Sequence, residues 1–212
     1  MKNYRMYNLN DKNVIFFKKT KEKWGGLSNM AGGYPIYINE IEIYTSEAIY
    51  QAMKFTDKNI QQEIIEKKSP MTAKMVAKKY KKFIRNDWEI IKVKIMRWAL
   101  LLKLMFNYEK FGSLLQETDN KIIVELSHKD KFWGCVFSDE ENRIVEGENI
   151  LGRLLMEVRE KTLHKYEKVV SPKIEKFIFL GNLIEEVTLN QKIFEYKIFK
   201  NNLNKHKQKT LI

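Results

Sequence analysis

A glutamate in the first turn of a short predicted helix is the residue of this sequence best placed to do chemistry. It lies in the stretch Thr45-Ser46-Glu47-Ala48-Ile49-Tyr50-Gln51-Ala52-Met53-Lys54-Phe55. Glu47, Gln51 and Lys54 recur at helical spacing and share a face with Tyr50, while Ile49, Ala52, Met53 and Phe55 lie on a side that can be buried. A carboxylate near the positive end of a helix dipole is favoured in its ionised form. That form suits a base or the stabiliser of a developing cation. The same pattern also describes an ordinary amphipathic helix whose glutamate only complements the dipole.

Three further segments hold polar residues where packing does not ask for them. In Trp24-Gly25-Gly26-Leu27-Ser28-Asn29, the glycines would let backbone approach a ligand, and Ser28 and Asn29 offer hydrogen bonds; a plain turn has the same composition. In Arg85-Asn86-Asp87-Trp88 an aromatic ring at a helix start is suited to stacking on a flat ligand, or to filling the core. The third runs from Asp130-Lys131-Phe132-Trp133-Gly134 to Gly147-Glu148-Asn149-Ile150-Leu151-Gly152-Arg153. There Gly147, Asn149 and Gly152 cluster at a predicted helix N-terminus, whose free N–H groups and dipole attract phosphate. Arg153 and Arg159 are available to phosphate or to neighbouring acids. No nucleophile elbow is present, and Cys135, the single cysteine, reads as a small buried thiol. His128, His164 and His206 are scattered without zinc-ligand spacing, so neither a metal nor a cofactor is expected. An acid-rich, aromatic-lined pocket with phosphate-friendly loops fits hydrolysis of an N-glycosidic bond, whose oxocarbenium-like transition state a carboxylate stabilises.

The elements that must position these groups follow from local signals. Val14-Ile15-Phe16-Phe17 reads as a strand, and Tyr34 to Tyr44 alternates around Asn39-Glu40 as a hairpin. Helices are expected from Ser46, from Asp57 towards Lys67, and from Pro70 to Tyr80 with Ser69 as cap. Asp87 caps the longest helix, Trp88 to about Phe106, whose apolar period sends it across the core. A short helix (Phe111 to Gln116) and a β-branched run (Ile122-Ile123-Val124) follow. Ser127 to Gly147 reads as an irregular functional loop, and a helix opens at Asn149 or Ile150. The expected fold is α+β, a predominantly helical single domain with a small sheet and hairpin. A catalytic domain over 1–170 is followed by an appendage over 171–212 with a basic tail.

With 212 residues, 44% hydrophobic and 31% charged, the chain is long enough for one substantial core. No apolar run reaches membrane-span length and the first residues lack the apolar stretch of a signal peptide. A cytoplasmic protein without a membrane partner is expected. The net charge of +12 points to a polyanionic partner, nucleic acid before membrane. Two basic clusters stand out: Lys74, Lys78, Lys79, Lys81, Lys82 and Arg85, and the tail Lys197, Lys200, Lys205, Lys207 and Lys209. Solvated lysines on a surface are the plain alternative.

In order along the chain, Leu27-Ser28-Asn29-Met30, the Thr45 to Phe55 helix, Ser69-Pro70-Met71 to Asp87-Trp88, and Asp130 to Gly134 with Asn149 to Arg159 resemble the motifs of the NADAR family, whose founding members are YbiA-like N-glycosidases. The resemblance covers roughly 23–161. It implies an α+β fold that binds ADP-ribose-like or ribosyl phosphate ligands and cleaves N-glycosidic bonds without a metal. By position, Glu47 corresponds to the family's catalytic glutamate and Asp130 to a second acidic residue. Trp88 and Trp133 match pocket aromatics; Ser28, Asn29, Gly134, Asn149 and Gly152 fall on ligand-contacting motifs. YbiA-like members follow the glutamate with a histidine and two aromatics, whereas here Ala48-Ile49-Tyr50 follow. That version, with basic Lys54, resembles the branch paired with DarT-type toxins, which place ADP-ribose on guanine in DNA. The resemblance therefore implies an antitoxin that removes ADP-ribose from DNA, with residues after Ser171 helping to grip the strand. Rival expectations are a glycosidase of phosphoribosyl metabolites in riboflavin biosynthesis, a non-catalytic ADP-ribose or NAD reader, and a plain DNA-binding protein.

Overall fold

The structure is a computed structural model and describes residues 4–189. In chain order the elements are β1 (Arg5–Asn8), β2 (Val14–Phe17), β3 (Ile36–Ile38), β4 (Ile41–Ile43), α1 (Ser46–Ala52), α2 (Lys58–Ile65), α3 (Pro70–Lys79) and α4 (Trp88–Phe106). There follow α5 (Ser113–Gln116), β5 (Ile122–Glu125), β6 (Val136–Asp139), β7 (Ile144–Gly147), α6 (Ile150–Arg159), β8 (Lys168–Val170), β9 (Ile178–Phe179), β10 (Asn182–Leu183) and β11 (Glu186–Thr188). The class is α+β, as expected. Among the described residues no helix is long and apolar enough to cross a membrane.

Local chemistry sets most of the boundaries. Asn39 and Glu40 both take positive φ (49° and 66°), so β3 and β4 close through a two-residue turn with Ile36 facing Ile43. The Asp57 side chain accepts from the N–H groups of Asn59 and Ile60, and Ser69 Oγ accepts from Thr72 N, with Pro70 at the first helical position. Asp87 begins α4 but its carboxylate takes Arg85 instead of a helix N–H, at 2.6 Å. α4 is the axis of the core, with Ile95, Trp98, Ala99, Leu102 and Phe106 buried as its period requires.

Two expectations are corrected. Ser127 to Gly147 is not irregular throughout: Val136–Asp139 and Ile144–Gly147 pair antiparallel, and β1 adds to β7 on the other side. The strands are short, and Asp139 and Asn142 make the turn between them, so the alternation is hard to see in sequence. The residues after 170 do not stand apart as far as they are described. β8 pairs with β11, Phe177 meets the Trp98 ring edge-on at 4.9 Å, and Phe179, Ile184 and Val187 are buried in the same cluster as α4. The lysine-rich tail from Lys197 lies outside the described residues.

The pair that positions the site is β2 and β5. They run parallel, Val14 opposite Ile122 through Phe17 opposite Glu125, and α6 packs on β5. Gly152 permits that packing: a Cβ there would stand 2.1 Å from the Ile123 carbonyl oxygen.

Candidate active site

α1 is held at its start from two directions. Thr45 Oγ1 accepts from Ala48 N, while the Asn29 carbonyl accepts from Glu47 N at 3.1 Å and from Ser46 Oγ at 3.2 Å. The Gly25–Asn29 loop is thereby tied to the helix that bears Glu47. Beneath the loop lies Lys103, fully buried in α4, whose Nζ donates to the carbonyls of Gly26 (2.6 Å) and Ser28 (3.0 Å) and faces the rings of Tyr34 and Phe111. Burial, and secondarily the charge of Lys110, holds its pKa well below the usual lysine range. The two glycines serve this packing and leave no room for a ligand. A Cβ on Gly25 would meet Thr20 O at 2.3 Å, and one on Gly26 would meet the Tyr34 hydroxyl at 2.3 Å.

All seven residues of α1 are buried, polar side included. That side forms a wall of a cavity of about 340 Å³. Glu47, 3% exposed, accepts from Asn29 Nδ2 and, at 2.7 Å, from Gln51 Nε2. Burial raises its pKa, against the Gln51 and Asn29 hydrogen bonds and the charges of Lys74 and Lys54, which pull the other way. Loss of water thus outweighs the dipole that the sequence suggested would favour the ionised form.

The same cavity is lined by Glu125, the last residue of β5. Its N–H donates to Asn149 Oδ1 at 3.1 Å and its carbonyl accepts from Cys135 N at 2.8 Å. Burial first, then the charges of Asp130 and Glu47, push its carboxyl up to about 7. Near neutral pH its protonated form is therefore available and can give a proton away. Asp130, partly buried, shapes the loop beyond: its Oδ1 accepts from Phe132 N and Trp133 N at 3.0 and 2.9 Å. It also borders a second, more open groove of about 600 Å³ beside Phe132.

Aromatic rings and cations complete the walls. Tyr50 meets Trp133 edge-on at 5.5 Å and backs onto Trp88 at 5.1 Å. Lys54 Nζ lies 5.5 Å from both the Tyr50 and Trp88 rings. Its ammonium is depressed chiefly by burial, with Glu47 opposing. Lys74 reaches the same cavity from α3. Among the described residues, no three Asp, Glu, His or Cys side chains form a metal-ligand set. Burial, with the charges of Glu125 and Glu146, pushes the Cys135 thiol up to about 12, where it is no nucleophile at neutral pH.

Of the residues singled out from sequence, Glu47, Asp130, Asn29, Lys54 and Trp133 line one cavity. The other five are placed differently. Ser28 is buried within the Gly25–Asn29 loop, its Oγ accepting from Met30 N, and Trp88 packs against Tyr50. Gly134 lies against β5, where a Cβ would come within 2.5 Å of the Glu125 carbonyl. Asn149 is fully buried, its Nδ2 donating to Ile123 O and its Oδ1 accepting from Glu125 N, and Gly152 faces Ile123. The helix N-terminus expected to bind phosphate is already spent. Ile150 N donates to Phe132 O and Leu151 N to Trp133 O, at 3.1 and 2.9 Å. Its dipole therefore steadies the Asp130–Gly134 loop. Arg159 binds Thr118 Oγ1 and the Lys121 carbonyl.

Sequence reasoning passed over Glu125, Lys74 and Ser127 as pocket residues and Lys103 as a loop support. An acid ending an apolar β-branched run, and one lysine inside Leu100-Leu101-Leu102-Lys103-Leu104-Met105, were the available signals. Asn149→Ala tests the packing role. It strands Glu125 N and Ile123 O and puts alanine at φ 51°, so a loss of roughly 2–4 kcal/mol is expected. A lower urea midpoint at unchanged slope is the readout.

Residues 15–163 match the family model of the NADAR domain. The N-glycosidase YbiA of Shigella boydii is 36% identical over 148 residues, 70% of this chain and 88% of that protein. A riboflavin biosynthesis protein of Vibrio vulnificus is 34% identical over 149 residues, 69% of this chain but 38% of its own length. The NMR structure of Escherichia coli YbiA matches with a TM-score of 0.59 at 35% identity, covering 71% of this chain and 84% of that one. Every residue lining the cavity around Glu47 falls inside the matched span. On sequence, fold and the extent of the match together, the chain belongs to the NADAR family.

Proposed function

We propose that this protein removes ADP-ribose from guanine bases of DNA, acting in the cytoplasm as the antitoxin to a DarT-type DNA ADP-ribosyltransferase. The broader class is carried by kinship: relatives named N-glycosidases make this chain a glycosidase of the hydrolase class. The observation that carries the chemistry is the buried Glu47, fixed by Asn29 and Gln51 in a cavity that a second acid, Glu125, also lines. Glu47 takes a proton from water as the water oxygen bonds to the ribose anomeric carbon, and its charge stabilises the cation that develops there. The glycosidic C–N bond breaks, and its electron pair stays on the departing base, which accepts the proton held by Glu125. Free ADP-ribose and an unmodified guanine result. Lys54 and Lys74 suit an anionic diphosphate, and the aromatic lining of Tyr50 and Trp133 suits a flat ring.

Support for the DNA-linked substrate comes from the net charge of +12 and from Ala48-Ile49-Tyr50 after the glutamate. A second reading, hydrolysis of small phosphoribosyl metabolites, is favoured by the Vibrio relative's name. Measuring kcat/KM side by side on a guanine-ADP-ribosylated oligonucleotide and on phosphoribosyl precursors of riboflavin separates the two. At least a hundredfold preference for the oligonucleotide is expected; the reverse preference would select the metabolite reading.

A further inference from the structure

Between Lys67 and Asn86 the chain carries eight basic residues and no acidic one. This stretch is α3 with the turn on either side, and its buried face is small: Ala73, Val76 and Ala77. The opposite face presents Lys74, Met75 and Lys78 to solvent, and the following turn adds Lys81, Lys82 and Phe83. Met75 is 62% and Phe83 66% exposed, large apolar groups interleaved with the charges. Two of the stretch's cations are paired with acids from its margins, Lys79 with Glu63 and Arg85 with Asp87. Lys74 stands at one end of this face and also lines the cavity around Glu47, so the basic surface runs directly into the pocket mouth.

We infer that this face of α3 and the turn after it is a track for the phosphodiester backbone of a single nucleic-acid strand, leading the modified base to the pocket. It deepens the DNA-linked reading and rests on it. Spaced lysines without acids follow a polyanion, and exposed Met and Phe side chains among them give unstacked bases an apolar surface. A single strand suits the pocket, because a guanine that carries ADP-ribose must leave its stack before a buried carboxylate can reach the bond between ADP-ribose and the base.

The test replaces Lys78, Lys81 and Lys82 together by glutamate, all three exposed and outside the cavity. Wild type and variant are compared on an ADP-ribosylated single-stranded oligonucleotide and on ADP-ribosylated guanosine, across a salt series. The variant should show a KM for the oligonucleotide raised about tenfold or more at low salt, with a log–log salt slope shallower by about two, and unchanged turnover of the nucleoside substrate. Equal KM and equal slope on the oligonucleotide would overturn the track while leaving the DNA-linked activity standing. If wild type does not cleave the oligonucleotide, the functional reading has failed. Fluorescence anisotropy with an unmodified single strand then still decides the track: binding lost in the variant supports it, and binding only to anionic vesicles contradicts it.

Discussion

Replacing Glu47 by glutamine is expected to lower turnover by about a thousandfold or more while ADP-ribose still binds, since positioned acid–base groups contribute roughly 10²- to 10⁴-fold and here the same group also faces the developing cation. The substitution keeps the length and shape of the side chain. Its amide oxygen can replace one carboxylate acceptor, and its NH₂ then faces either Asn29 or Gln51, whose own amide can turn to present oxygen. The cavity therefore keeps its walls and loses its charge. Burial raises the Glu47 pKa, so the folded protein binds that proton more tightly than the unfolded chain does. The stability that this contributes is present at acid pH and is lost as pH rises from the ordinary carboxylate range through the raised value. The wild type should lose stability relative to Glu47→Gln across that window, read as the difference in urea midpoints. Full activity in Glu47→Gln would remove the residue from the mechanism, and a parallel pH dependence of stability would remove the burial argument.

The second large effect concerns Glu125. With its carboxyl pushed up to about 7 by burial and by Asp130 and Glu47, the protonated form needed to supply the departing base declines above neutrality. kcat/KM should fall on the alkaline side with an apparent value near 7. Glu125→Gln should lose about a hundredfold at neutral pH and lose that alkaline limb with it, because glutamine neither donates this proton nor titrates. A variant that keeps the limb would assign it to another group. Activation above pH 7 in the wild type would reverse the roles of the two acids.

How far the sequence reaches can be judged from these same residues. Asp57, Ser69-Pro70 and Asn39-Glu40 act on their immediate neighbours, so caps and the hairpin turn are visible along the chain. Glu47 was visible for the same reason, as an acid in a first turn. What surrounds it was not. Asn149 spends its amide on β5, 26 residues away at Ile123, so a motif that reads as an open phosphate site is a closed structural joint. The polar side of α1 reads as the polar face of an ordinary amphipathic helix and is buried, because Asn29, Glu125, Asp130 and Trp133 gather around one cavity with it. Glu125 reaches the cavity only through the parallel pairing of β2 with β5, a contact spanning more than 100 residues of sequence. Residues 171–189 read as part of an appendage because their strands are two or three residues long. They belong to the core through Phe177 and Phe179, whose partners lie on α4 and elsewhere in the cluster.

In the proposed function Glu47 drives hydrolysis of the bond between ADP-ribose and guanine in DNA. The most direct test is to incubate wild type and Glu47→Gln with an oligonucleotide ADP-ribosylated on one guanine and to follow intact mass. The wild type should return the oligonucleotide to its unmodified mass with one equivalent of free ADP-ribose, and Glu47→Gln should leave it modified while still binding ADP-ribose. Modified DNA left untouched by a folded, ADP-ribose-binding wild type, or cleaved equally by both proteins, would contradict the account.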